Sequence, residues 1–158
     1  MSSVDWLEWI RAVASVMTAL GVIFTSIGVF LAWRQILFTK RQAIIQFEDS
    51  LAREYREIMQ ELPVGAWLGE ELDDEEYARA LDRFYRYIDL SNTQTFLRNK
   101  GRVSVETWEE WCAGIQWNLS RPAFRKAWVE IKTKAEDIFE ELRRLEKSGF
   151  IDDPHSWR

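Results

Sequence analysis

Cysteine and histidine are nearly absent from this chain of 158 residues: Cys112 and His155 are the only copies. A single cysteine cannot form an internal disulfide, which fits a reducing compartment. A single histidine, placed in the tail, excludes a zinc site or a His-based catalytic triad built within one chain. There is no Gly-rich phosphate loop, no Gly-x-Ser-x-Gly elbow and no dinucleotide fingerprint. The Arg-then-His spacing of small helical ribonucleases is missing as well. Basic charge is also scarce where a nucleic-acid binder would need it. Beyond Arg41 there are 17 Lys/Arg against 24 Asp/Glu, a net charge near −7, and such a surface repels a phosphate backbone. Cys112 shares an apolar stripe with Trp108 and Trp111 and has no base beside it, so it reads as a small buried hydrophobe rather than a nucleophile. The sequence predicts a non-enzymatic protein with no catalytic residues, no cofactor, no metal and no nucleic-acid partner.

The other absence is local. From Ala12 to Trp33 there is no charged residue. As a helix these 22 residues reach about 33 Å, enough to cross a hydrocarbon core of about 30 Å. In lipid each backbone N–H and C=O must be paired within the segment, so a single span has to be helical. The remaining chain is too small and too polar to wrap a core helix of this length. A cleaved signal peptide is disfavoured because the leading residues include Asp5 and Glu8, and because the apolar run is too long for an h-region. Trp6 and Trp9 on one side and Trp33 on the other stand where aromatic anchors meet the two interfaces. Arg34, Lys40 and Arg41 follow the span, against Arg11 alone before it, which predicts the N-terminus outside and the C-terminal part in the cytoplasm.

Within the span Ala14, Thr18, Gly21, Thr25, Gly28 and Ala32 recur at alternating spacings of four and three. This is one seam of a heptad helix, with the bulky Met17, Leu20, Phe24, Ile27 and Leu31 on another face. Seams of small residues let helix backbones approach closely in a bilayer, where packing drives association. The seam continues as Gln35, Thr39, Gln42 and Gln46. Helix–helix contact, with itself or with another membrane protein, is the first reading. A ring of helices around a pore lined by Thr18, Thr25, Gln35 and Thr39 is the alternative. No ionisable residue lies in the span to support a proton relay or a charge-selective filter.

The rest of the chain reads as helices. Residues 1–11 form an interfacial lead-in, with Ser3 as a cap and Trp6, Leu7, Trp9 and Ile10 in the headgroup layer. Nothing breaks the helix from Trp33 to Leu62, so residues 34–62 predict a stalk ending before Pro63. The segment PVGAWLGEEL reads as a loop. Asp73 or Asp74 starts the next helix, with the acidic run Glu70–Glu76 explained by capping and the helix dipole rather than by metal binding. Tyr77, Leu81, Phe84 and Ile88 form its buried stripe, Ser91, Asn92 and Thr93 weaken or bend it, and Gly101 stops it. Ser104 caps a third helix carrying Trp108, Trp111, Cys112, Ile115 and Leu119 on one face. Ser120 opens a fourth, with Pro122 in its first turn and a heptad seam of Phe124, Trp128, Ile131, Ala135, Ile138, Leu142 and Leu145. The tail from 150 packs by Phe150 and Ile151. Nine tryptophans exceed what the interfaces use. Trp108, Trp111 and Trp128 are expected in the core, and Trp67 and Trp117 in contact with a partner or a membrane surface.

The run FYRYIDLSNTQTFLRNKGRVSVETWEEWCAGIQWNLSRPAFRKAWVEI resembles a group of small bacterial membrane proteins classed as domains of unknown function, the DUF4760-like type. The resemblance rests on Phe84 and Tyr85, then Gly101, then Trp108 and Trp111, then Pro122, Phe124, Arg125 and Trp128. It implies a bacterial inner-membrane setting and an all-helical soluble part, and it carries no known activity.

The expected protein is all-α: lead-in 1–11, transmembrane helix 12–33, stalk 34–62, cytosolic helical bundle 63–149 and tail 150–158. Its expected role is a single-pass assembly, scaffold or accessory subunit whose partners are the lipid bilayer and other membrane subunits or further copies of itself. An oligomeric pore or effector is the alternative.

Overall fold

The computed structural model describes residues 3–157, leaving aside the side chains of Ser3, Val4, Asp5 and Leu7. The expected cap by Ser3 and headgroup contact by Leu7 lie outside the described side chains. Among the described residues the protein is all-α, with six α-helices and a short 3-10 turn. The helices are α1 (Ser3–Gln60), α2 (Val64–Leu68), α3 (Asp74–Asn99), α4 (Val105–Ser120), α5 (Pro122–Lys134) and α6 (Glu140–Lys147), followed by the turn Pro154–Ser156.

The chain divides into two compact units, 1–43 and 44–158. The described part of the first unit is helix α1 alone. No break separates the expected lead-in from the expected span: α1 is continuous through both, and it runs on to Gln60. From Glu8 to Phe47 every side chain is exposed.

The second unit is a bundle. Its boundary divides the expected stalk, because the last turns of α1 carry Leu51, Ile58 and Met59 into the core, joined by Leu62 just beyond. Tyr77, Phe84, Tyr87 and Ile88 of α3 meet Trp108, Ile115 and Leu119 of α4 and Phe124, Trp128 and Ile131 of α5. Phe124 stands edge-on to both Phe84 and Tyr87, with centroids 5.0 and 5.1 Å apart, the geometry that ring quadrupoles prefer. Leu81 and Trp111 are only half-buried, so Trp111 is at the edge of the core rather than within it.

Helix ends follow the side-chain chemistry. Asp73 accepts from the Glu76 N–H at 2.8 Å, and Ser104 accepts from the Thr107 N–H at 3.2 Å. Glu48 of α1 adds a second acceptor at the start of α4, taking the Ser104 N–H at 2.7 Å and the Thr107 hydroxyl at 2.9 Å. Gly101 and Gly69 take left-handed φ values of 67° and 81° at the ends of α3 and α2, where a Cβ would be strained.

Three expectations are corrected. PVGAWLGEEL contains the short helix α2, begun at Pro63 and closed at Gly69, with its own Ala66 fully buried. Helix α3 runs unbroken through Ser91, Asn92 and Thr93; the Ser91 and Thr95 hydroxyls donate to the carbonyls of Tyr87 and Ser91 one turn back, at 2.8 Å. Ser120 ends α4 and does not cap α5, its hydroxyl donating instead to Trp117 O at 2.7 Å. The expected heptad helix through Leu145 is broken at Ala135–Phe139, so Ala135 and Ile138 leave the stripe and Phe139 takes their place in the core. Phe139 lies edge-on to Tyr85 and Trp128, at 5.5 and 6.3 Å. Arg143 donates to the carbonyls of Lys132, Ala135 and Ile138 at 2.7 to 3.0 Å, which satisfies acceptors that the lost helical turn would have paired. Asn92 of α3 receives the Leu142 N–H at 3.1 Å, standing in for the cap that Phe139 cannot supply.

The tail is also more tied down than expected. Ile151 is 86% exposed and contributes nothing to the core, whereas Pro154 is buried and Trp157 packs against the bundle. Arg98, 8% exposed, donates from Nε and Nη2 to the two oxygens of Asp153 at 2.8 and 2.5 Å, and from Nη1 to Val103 O at 2.9 Å. The Arg98 hydrogen bond holds the Asp153 carboxyl below the usual carboxylate range. A depressed folded value stabilises the bundle above the unfolded carboxylate pKa of about 3.9 and ceases to do so as pH falls through the folded value. Asp153→Asn is therefore expected to flatten the fall in stability below about pH 4, measured by denaturant unfolding of the full chain across the acid range; an unchanged acid slope would contradict the pairing.

Candidate functional site

The expected contact seam lies on one continuous helix. A heptad repeat on a helix of 3.6 residues per turn drifts about 20° per seven residues, so the stripe winds slowly and suits a partner crossing at a small left-handed angle. Ala14, Thr18, Gly21, Thr25, Gly28 and Ala32 are all exposed. A Cβ placed on Gly21 or Gly28 would meet nothing within 4 Å. Glycine in a helix interior costs about 1 kcal/mol relative to alanine in water, and no other group among the described residues occupies the room those two positions leave. Around Ala32 and Thr39 the small side chains form a shallow trough edged by Gln35, Ile36 and Lys40. What the stripe offers chemically is close backbone approach for a second helix.

The threonines are not free polar groups. Thr18 donates to Ala14 O and Thr25 to Gly21 O, each at 2.8 Å, and Thr39 donates to Gln35 O at 2.9 Å. Each hydroxyl proton is spent on the carbonyl one turn back. This weakens the stripe as a polar wall and leaves it as a surface of small, self-satisfied side chains.

The expected anchors are placed consistently along α1. Trp6, Trp9 and Trp33 are exposed, as are Arg34, Lys40 and Arg41, and Trp9 and Trp33 stand about 36 Å apart along a straight helix. Phe30 and Trp33 pair with ring centroids 6.3 Å apart. The expected partner contacts fall in both units. Gln35 and Gln42 belong to the first, while Gln46, Trp67 and Trp117 belong to the second. Trp67 on α2 is 39% exposed; Trp117 on α4 is 64% exposed, with the Arg121 guanidinium 5.5 Å from its ring centroid. Cys112 is half-buried, donates its thiol to Phe150 O at 3.7 Å, and has its pKa pushed up by burial, which keeps the thiol protonated and unreactive.

A second constellation was not visible from the residue pattern. Inside the second unit, α1, α3 and α4 enclose a cleft of about 300 Å³ lined by Tyr55, Tyr87, Gln94, Trp111, Gly114 and Ile115, among others. The Asn118 amide donates to the Tyr55 and Tyr87 hydroxyls at 3.3 and 3.1 Å. Burial pushes the Tyr87 hydroxyl far above the ordinary phenol range. Two signals in the sequence mark this place: the uncharged polar run Ser91–Thr95 within α3, and Gly114 in the middle of α4.

No protein-family model, curated protein or solved structure matches the chain. Replacing Thr18 and Thr25 together by valine keeps the shape of the stripe and removes the hydroxyls. The expected result in a reporter of membrane-helix association is no measurable change. A marked loss of association, or a change in ion leakage from liposomes holding the full chain, would show that the hydroxyls act outside their own helix.

Proposed function

We propose that the protein is a single-pass membrane protein, anchored by residues 12–33 of α1, that acts as a non-enzymatic assembly or accessory subunit. The observation that carries this reading is the uncovered state of α1: a charge-free run of 22 residues in which every side chain is exposed. Among the described residues one helix is long and apolar enough to cross a membrane. Its ten Val, Ile, Leu and Phe side chains, at about −0.3 to −0.6 kcal/mol each, favour insertion by about 3 to 6 kcal/mol before the smaller opposing terms of Ser and Thr.

The seam supplies the contact. Gly21 and Gly28 bring a second helix close, either another copy of this chain or a different membrane subunit. The basic residues after the span favour the N-terminus outside and the bundle in the cytoplasm. The resemblance to DUF4760-like proteins favours a bacterial inner membrane. The spent threonine hydroxyls favour helix contact over a polar pore.

Native mass measurement after gentle detergent extraction tests the proposal. The expected species is a homo-oligomer or a complex with other membrane subunits, and Gly21→Leu with Gly28→Leu is expected to release the monomer while the bundle stays folded by circular dichroism. A wild-type chain that emerges as a lone monomer, or a double variant whose assembly is unchanged, contradicts it.

A further inference from the structure

The cleft between α1, α3 and α4 has hydrogen-bonding capacity that the protein does not use. Gln94 is 4% exposed and lines the cleft, and its carboxamide has no hydrogen-bond partner among the described residues. Its neighbours on the same face are different: Ser91 and Thr95 are equally buried and are satisfied by their own helix. The amide is not sealed off: the side-chain atoms buried without a partner among the described residues are Arg83 Nε, Trp128 Nε1 and Trp157 Nε1, so the Gln94 carboxamide opens onto the cleft. One tyrosine adds to this. The Tyr55 and Tyr87 hydroxyls accept from Asn118, and the Tyr87 hydroxyl also hydrogen-bonds the Ser91 side chain. A hydroxyl that accepts still has one proton to donate, and that of Tyr55 meets no acceptor among the described residues. The wall therefore keeps the Tyr55 proton and the Gln94 amide open to a guest.

Gly114 shapes the opposite side. It sits in the interior of α4, where no positive φ requires glycine, and a Cβ there would meet nothing within 4 Å. Neither backbone conformation nor crowding accounts for the missing side chain; its effect is to leave room beside Trp111 and Ile115. Arg56 and Glu110, one of each sign, complete the lining, so no net charge selects an ion. The volume, about 300 Å³, lies at the small end of ligand pockets and suits one ring or a fused pair.

We propose that this cleft binds a small, uncharged, planar molecule with a lactam or carboxamide edge, its ring against Trp111 and Ile115 and its carbonyl toward the Tyr55 hydroxyl and the Gln94 amide. An amide edge answers both the donor and the acceptor of Gln94 in a paired contact. All the lining residues lie in the second unit, so this inference stands or falls independently of whether α1 crosses a membrane.

Ligand-observed saturation-transfer NMR on the full chain in detergent tests it, with benzamide, nicotinamide, uracil and adenine as probes and benzoate as the charged control. At least one neutral probe is expected to bind saturably with a Kd of about 1 mM or tighter. Gly114→Leu, whose Cβ meets no atom and whose side chain grows into the cleft, and Gln94→Leu are each expected to weaken that binding by about tenfold or more, with helical content unchanged by circular dichroism. Trp117→Leu, outside the cleft, is expected to leave it unaltered. Should Gln94→Leu fail to fold, Gly114→Leu alone decides. No saturable binding of any neutral probe, equal binding of benzoate, or binding that survives Gly114→Leu would overturn the proposal.

Discussion

Water cannot stay in contact with a charge-free helix of this length at low cost, and the rest of the protein is arranged around that fact. From Glu8 to Phe47 every side chain of α1 is exposed among the described residues. A soluble protein rarely leaves a contiguous apolar surface of this size open to solvent. The proposed cover is lipid, the environment whose thickness fits a run of 22 residues. The surface residues at either end are consistent with that solvent, tryptophan on both sides and basic charge on one.

The second unit solves the opposite problem. It has a water-facing, acidic surface and must build a core from short helices. It does so with rings: Phe124 against Phe84 and Tyr87, and Phe139 against Tyr85 and Trp128. Polar groups reach across between elements to close exposed ends. Glu48 caps α4 from α1, Asn92 caps α6 from α3, and Arg143 pairs the carbonyls freed at the α5–α6 break. Each of these removes an unpaired backbone group from the interior, where leaving one costs about 1–3 kcal/mol. The Gln94 amide differs in facing the cleft with no hydrogen-bond partner among the described residues.

Much of this was legible in the residue order, because local rules settle local features. Asp73, Ser104 and Gly101 marked helix ends correctly, since capping depends on a few adjacent atoms. The uncovered apolar helix was legible because length and lack of charge are properties of the chain itself. The break at Ala135–Phe139 was not. It contains neither glycine nor proline, and it forms because Phe139 gains an aromatic cluster and Arg143 reaches three carbonyls, both tertiary effects. The short helix α2 was hidden by the Pro and Gly that bound it. The tail was misjudged for the same reason as the break: Arg98 and Asp153 are 55 residues apart in sequence, and no periodicity links them. The cleft left only indirect marks, a polar run in α3 and a glycine inside α4.

The central claim is that α1 is covered on all sides by lipid rather than on one side by a protein. Single cysteines placed one at a time from Trp9 to Thr39, in a Cys112→Ser background and in sealed vesicles, distinguish the two by their labelling with a water-soluble maleimide. The account predicts protection at every position from Ala12 to Trp33 whichever face it occupies, with labelling restored at Trp9 and Thr39. Labelling throughout the stretch, or protection that recurs only every third or fourth residue, would contradict it.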